Sequence, residues 1–320
     1  MLDVGTETQE VEIISDGKYR YQVIRNWLKP TTPGGAHPCD VAVDSRDRVF
    51  ISVPQDRRGD KGLIESADMP LIFICDSEGN QIDSWGTGAT ISAHGLHIAN
   101  DMLYVCDKDA SKCLIYTLDG KILRVIGEHR VHADTGAVHK GDPVTKEAGP
   151  FNYPAQIVPS PWGDLYVADG YKNARVHRFH SNGQLIQSWG KWGRKGAGNF
   201  HLPHAVLATG DGRVYVASRF GNNVQVFDRY GGFIDMWTDV RTPASLAQLA
   251  DGNIAVCEHP SDYFLDEIDF SVPFYITIFS PDGEVQAKLP AGFAHSMALD
   301  SQGNIYLANH HTVHKCVRLD

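Results

Sequence analysis

His94, His204 and His295 are the residues whose type and spacing most directly suggest chemistry, because each occupies the same place in a recurring phrase. The copies read Pro38-Cys39-Asp40-Val41-Ala42-Val43, Ala93-His94-Gly95-Leu96-His97-Ile98, Pro154-Ala155-Gln156-Ile157-Val158, Pro203-His204-Ala205-Val206-Leu207, Pro243-Ala244-Ser245-Leu246-Ala247 and Ala294-His295-Ser296-Met297-Ala298-Leu299. The shared slot holds, in order, Cys39, His94, Ala155, His204, Ala244 and His295, so histidine takes every even copy. With 15 histidines in 320 residues, chance is a poor account of that alternation. Arranged as a ring, three imidazoles a third of a turn apart offer a facial nitrogen set with open positions for a divalent transition ion. Zinc is the first expectation, and iron(II), cobalt or nickel accept the same ligands. Cys39 is a possible ligand off the pattern, while Ala155 and Ala244 leave space. The competing reading of any one histidine is an ordinary polar residue where a loop meets a strand.

A ring needs a scaffold that repeats the slot at equal angles, and the rest of each copy has that pattern. Second runs follow the slot: Val49-Phe50-Ile51-Ser52, Leu103-Tyr104-Val105-Cys106, Leu165-Tyr166-Val167-Ala168, Val214-Tyr215-Val216-Ala217, Ile254-Ala255-Val256-Cys257 and Ile305-Tyr306-Leu307-Ala308. Two further runs flank a turn glycine in five copies, at Gly79, Gly120, Gly183, Gly232 and Gly283. Such β-branched and aromatic runs between Asp/Gly turns mark short antiparallel strands. Units of roughly 40–60 residues with four strands each are propeller blades. The fold class is therefore all-β, a six-bladed β-propeller. The sixth copy runs out after three strands, and Tyr19–Trp27 is expected to supply the fourth as the outermost strand of the last blade, closing the ring and hiding an edge. Residues 1–18 are left as an N-terminal tail and 19–320 as one propeller domain. Insertions at Pro54–Pro70, Gly127–Pro150 and Glu258–Pro273 break the rhythm, and long loops of this kind usually serve function.

Composition narrows the partners. A net charge of −10 argues against nonspecific nucleic-acid binding. No run approaches the length of an apolar membrane span, and the first ten residues lack the basic-then-apolar pattern of a secretory leader. The six cysteines lack Cys-x-x-Cys spacing, although Cys106 and Cys113 could face each other across a hairpin. A reducing cytoplasm is expected, with the chain a monomer or weak homo-oligomer. His97 and His201 flank the ring and read as strand or loop residues; His129, His132 and His139 read as solvated loop.

The pattern Asp-Gly-x-Ile/Val-Tyr-Val with Val-x-x-Phe-x-x-x-Gly resembles the NHL repeat. Within that class, Val167-Ala168-Asp169-Gly170-Tyr171-Lys172-Asn173-Ala174-Arg175-Val176, Leu185-Ile186-Gln187-Ser188-Trp189-Gly190, Leu202-Pro203-His204 and Val216-Ala217-Ser218-Arg219-Phe220-Gly221-Asn222 resemble peptidyl-α-hydroxyglycine α-amidating lyase. The resemblance covers about residues 36 to 320. It implies a zinc ion on His94, His204 and His295, an active-site tyrosine at Tyr171 and a substrate-facing arginine at Arg219. It also implies a blade 1 arginine, for which only Arg57 or Arg58 is available, and cleavage of an N–Cα(OH) bond to an amide and glyoxylate. Phe293 stands in place of the family's methionine. Ser296 replaces an aspartate of its calcium site, which counts against calcium, and Lys172 falls where a disulfide cysteine would stand. The expected substrate is a small, carboxylate-bearing molecule. Beside this stand a metal-dependent hydratase or hydrolase on the same scaffold, and a non-catalytic NHL interaction propeller. For the side chains, the alternatives are blade packing for Tyr171, pairing to Asp169 or Asp228 for Arg219, and simple solvation for Arg57 and Arg58.

Overall fold

The computed structural model describes residues 11–29, 38–53, 58–59, 62–63, 70–86, 90–260, 271–309 and 311–319. Six antiparallel sheets follow one another along the chain. Their innermost strands are Asp40–Val43, Ala93–Ala99, Gln156–Pro159, Pro203–Ala208, Pro243–Gln248 and Ser296–Leu299. Each packs on the innermost strand of the next blade, and the last packs on the first. The chain is a six-bladed β-propeller. Among the described residues no helix is long and apolar enough to cross a membrane.

The core lies between the blades. Because strand residues alternate faces, each blade presents one apolar side to each neighbour, and separate buried clusters fill all six seams. The seam between blades 1 and 2, for example, joins Phe50, Ile72 and Ile74 to Leu103, Leu114 and Tyr116. At the rim, Trp27, Trp85, Trp189 and Trp237 each cover a turn glycine of the next blade, whereas Gly183 meets Ile126. Gly120 has φ +89° and a Cβ there would meet the Trp85 ring at 2.8 Å, so both conformation and space select glycine. In blade 4 the left-handed residue is Gly231 rather than the neighbouring Gly232.

Blade 6 is assembled from both ends of the chain. Its strands Ser296–Leu299, Ile305–Ala308 and Val313–Arg318 are continued by Tyr19–Ile24, which pairs with Val313–Arg318. The sheet does not stop there. Glu12–Asp16, within the stretch read from sequence as a tail, pairs with Tyr19–Ile24 and is the true outer strand. It buries only Ile14 among exposed neighbours, a signal too short for hydrophobic periodicity to register.

The closure carries a titratable group. Backbone N–H of Asn26 donates to His314 Nδ1, and Asn309 Nδ2 lies 3.0 Å from Nε2. Burial, reinforced by Arg25, lowers the His314 pKa to about 4, against about 6.5 for a free imidazole. The unfolded chain therefore binds this proton more readily than the folded one. The stabilisation is complete above about pH 6.5 and declines as pH falls through the window down to about 4. Urea unfolding should show a midpoint that drops between pH 7 and pH 5, with a shallower drop in His314→Gln. Equal slopes in the two proteins would remove His314 as the source.

Candidate active site

The slot sits where each chain enters its innermost strand. In blades 2, 4 and 5 the slot residue, His94, His204 or Ala244, is the extra residue of a register shift between the first two strands. A bulge re-aims the side chain it carries. The three histidines are buried and their rings converge, with centroids 5.2 Å apart for His94 and His204, 4.9 Å for His94 and His295, and 4.7 Å for His204 and His295. The structure thus brings together the three residues singled out from sequence.

Each ring is held the same way, across a blade boundary. Nδ1 of His94 donates to the carbonyl of Ala155 at 2.8 Å, that of His204 to Ala244 at 2.7 Å, and that of His295 to Cys39 at 2.8 Å. The even-slot imidazole is therefore locked by the odd-slot carbonyl of the following blade. A proton on Nδ1 fixes the tautomer and leaves Nε2 as a lone pair, the usual outer-shell arrangement of a ligating histidine. Gly95 makes the first of these contacts possible, since a Cβ there would lie 2.3 Å from the Ala155 carbonyl oxygen.

The Tyr171 hydroxyl lies 2.7 Å from His94 Nε2 and 3.0 Å from His204 Nε2. With both Nδ1 atoms protonated, two lone pairs and a phenol oxygen share a single proton. Such a donor set fits a cation. Among the described residues, possible ligand atoms of Cys39, His94 and His295 lie within 4.8 Å of one another. Cys39 Sγ lies 3.7 Å from His295 Nδ1, the nitrogen already engaged by the Cys39 carbonyl, so the thiol flanks the ring. His204 lies outside that group, but its ring packs on both other histidines and its Nε2 meets the shared phenol. Burial, aided by the charges of Arg219 and His94, holds the His204 pKa well below its usual value and keeps it neutral. Burial pushes the Tyr171 phenol and the Cys39 thiol up, with the Arg219 charge opposing in both cases. Asp40, beside Cys39, is raised to about 7 by burial while accepting from Ser296 Oγ and the backbone of Leu96 and Val41.

Above the slot ring is a second ring that the sequence reading recognised only in part. Backbone N–H groups of Lys108, Tyr171, Arg219 and His259 donate to the carbonyls of Ser92, Tyr153, Leu202 and Thr242, each two residues before the slot. These four residues therefore hold equivalent places in blades 2, 3, 4 and 5. Polar side chains just before them fix the same loops. Asp107 accepts from Ser92 and Ile91, Asp169 from Asn152, Ser218 from His201 and Glu258 from Arg241. Lys108 and His259 were missed because blade 3 carries one extra residue, Gly170, which breaks the register between copies. Aligning on the anchoring Asp, Ser and Glu side chains would have found them.

Arg219 is buried and does not pair with Asp169 or Asp228. Asp169 is taken by His177, Asn173 and the Asn152 backbone, and Asp228 by its own turn. Instead Arg219 Nη2 donates to His259 Nδ1 at 2.5 Å and to the Pro260 carbonyl at 3.2 Å. Tyr171 packs with Ala155, Leu202 and Phe220 as well as touching the histidines, so packing and site contact coincide. Arg57 lies outside the described residues, and Arg58 is placed only as backbone of a two-residue strand paired with Gly62–Leu63. His132 is exposed in its loop, as expected, and also meets the Ser111 hydroxyl and stacks on Tyr153. Cys106 and Cys113 do face each other, as free thiols 3.2 Å apart.

Fold and site together define a six-bladed propeller with a buried histidine cluster where the chain enters its innermost strands. No family model matches the chain. It is 25% identical over 173 residues, half of this chain and 20% of the relative, to peptidyl-glycine alpha-amidating monooxygenase B of Xenopus laevis. It is 28% identical over 173 residues, 52% of this chain and 45% of the relative, to the probable peptidyl-alpha-hydroxyglycine alpha-amidating lyase pgal-1 of Caenorhabditis elegans. Human NHL repeat-containing protein 3 is 30% identical over 112 residues, 33% of this chain and 32% of that one. The matches thus span less than half the length of these relatives. Among solved structures, a gluconolactonase of Xanthomonas campestris superposes with a TM-score of 0.63 at 12% identity, over 97% of this chain and 95% of that one. A streptogramin B lyase gives 0.60 at 13% identity, over 95% and 100%. These last two likenesses concern the fold.

Gly95→Ala tests the inter-blade lock. The added methyl must displace the Ala155 carbonyl, and overpacking of this kind costs about 1–3 kcal/mol. Gly210→Ala, which meets nothing within 4 Å, should leave stability unchanged. Equal denaturation midpoints for the two variants would show that the blades do not depend on this approach.

Proposed function

We propose that this protein is a metal-dependent lyase of the amidating type, cleaving the N–Cα bond of a small N-acyl-α-hydroxy acid. The observation that carries the reading is the matched trio of Nδ1–carbonyl hydrogen bonds, which leaves Nε2 lone pairs beside one phenol. His94, His204 and His295 would hold a divalent transition ion, zinc first and iron second. Bound there, the ion lowers the pKa of a hydroxyl presented to it. The sequence similarity to the Xenopus and nematode proteins supports the same chemistry.

Tyr171 is the proton carrier, because its oxygen is the one titratable group shared between two ring nitrogens. As the phenolate, which the Arg219 charge favours against burial, it removes the substrate hydroxyl proton. The electron pair left on oxygen forms the carbonyl, the C–N bond breaks, and its pair goes to nitrogen, which takes the proton back from Tyr171. The products are an amide and a carboxylate-bearing aldehyde, glyoxylate when the substrate is a hydroxyglycine. Arg219, held by His259 and Pro260, directs its charge at the site and steers the carboxylate, together with Arg57 or Arg58 from the blade 1 loop. The buried, fixed dipoles of such a pocket act without reorganising during the reaction.

Two measurements test this. Metal analysis of the purified protein should give about one equivalent of transition metal, falling sharply in His204→Ala. Negligible metal in both proteins would favour a non-catalytic propeller. Tyr171→Phe should keep its metal and lose about 10²–10⁴-fold in turnover of an N-acyl-α-hydroxyglycine, the range for a lost general base. Undiminished turnover would remove Tyr171 from the reaction.

A further inference from the structure

The insertion between blades 2 and 3 reaches over the site. The Gly141 N–H donates to the Tyr171 carbonyl at 2.9 Å, and the Gly141 carbonyl accepts from His201 Nε2 at 2.9 Å. Thr135 Oγ1 donates to the Lys172 carbonyl at 2.6 Å, and Asn152 Nδ2 donates to Thr135 Oγ1 at 2.8 Å. Gly141 has φ +79°, and a Cβ there would press on the Phe220 ring at 2.9 Å. These contacts dock the segment on the loop that carries Tyr171.

Docking delivers Lys140. Its Nζ lies 5.1 Å from the Tyr171 ring centroid and 5.7 Å from that of Phe220. Lys108, the blade 2 member of the second ring, places its Nζ 5.6 Å from the same Tyr171 centroid and 5.7 Å from Tyr153. Two ammonium groups therefore flank the aromatic ring whose hydroxyl touches His94 and His204. Asp109 shares the Lys108 charge through a 2.7 Å ion pair. Lys140 is half-buried, and its charge is felt at Cys39 and at His204.

We propose that Lys140, with Lys108 in support, binds the substrate carboxylate alongside Arg219 and makes this site prefer a free carboxylate over its ester. The inference rests on the lyase reading for the identity of the substrate and on geometry for the receptor. The phenol takes a proton from a hydroxyl on the carbon that also bears the carboxylate. That carboxylate must then lie beside the Tyr171 ring, where the two lysines stand. Lysine suits this role because its ammonium is a compact charge on a flexible stem that can follow a small ligand.

Calorimetric titration of glyoxylate into the purified protein provides a readout independent of turnover. Kinetics with N-acetyl-α-hydroxyglycine and its methyl ester provide the second. Lys140→Ala should weaken glyoxylate binding about tenfold and lower the preference for acid over ester by a similar factor, through KM, with Lys140→Arg restoring most of both. Lys108→Ala should have the smaller effect. Absence of glyoxylate binding in the wild type, or unchanged binding and preference in Lys140→Ala, would overturn the receptor. Lys140-dependent glyoxylate binding without turnover of the hydroxyglycine would keep the receptor and remove the lyase reading. Turnover with a Lys140-independent KM would do the reverse.

Discussion

The site depends on one repeated interaction, the hydrogen bond from an even-blade imidazole to an odd-blade carbonyl. A propeller blade has no covalent link to its neighbour at the channel, so the angle between blades is set by packing in the seams and by such polar contacts. Here the same bond does two jobs. It ties blades 2 to 3, 4 to 5 and 6 to 1, and it assigns the proton on each ring. Moving the proton from Nδ1 to Nε2 would leave a buried carbonyl without its donor. That loss is costly in a buried setting, so architecture and tautomer select each other.

The second ring follows from the same repetition. Four loops are anchored by a carboxylate or hydroxyl on the backbone three residues before the slot. The acceptor is a carboxylate in three of the four blades. What the anchored loops then carry differs from blade to blade: an ammonium, a phenol, a guanidinium and an imidazole. A uniform frame thus presents four different functional groups to one channel mouth. The repeat supplies position, and departures from the repeat supply chemistry.

This division explains how much was legible in the sequence. The slot histidines and the blade rhythm were readable because strand alternation and Asp/Gly turns recur at similar spacing. Tyr171 and Arg219 were reached by resemblance, since no periodic rule links a tyrosine followed by lysine to an arginine followed by phenylalanine. Lys108 and His259 escaped because the alignment slips at Gly170, a glycine required where a Cβ would strike the Pro203 carbonyl at 2.1 Å. Lys140 belongs to no repeat at all, and only its docking through Gly141 places it. The strand Glu12–Asp16 was invisible for another reason. It buries one side chain, so its pairing is decided by an available edge on Tyr19–Ile24 and not by its own pattern.

The charges around the histidines carry a tension that bears on function. Burial, with the charges of Arg219, His94 and Lys140, lowers the proton affinity of His204, which keeps its lone pair available near neutral pH without a proton having to leave first. The same positive field opposes a divalent ion at the ring. Asp40 offsets it only in part near neutral pH, because burial raises its pKa to about 7 against the hydrogen bonds from Ser296, Leu96 and Val41 that favour the carboxylate. An anion set between the ring and the lysines would relieve the repulsion on both sides. Ion and anion would then favour each other's binding, a coupling that by linkage is reciprocal. On the proposed reading, a neutral analogue of the same size would leave the repulsion in place, so charge would be selected before shape.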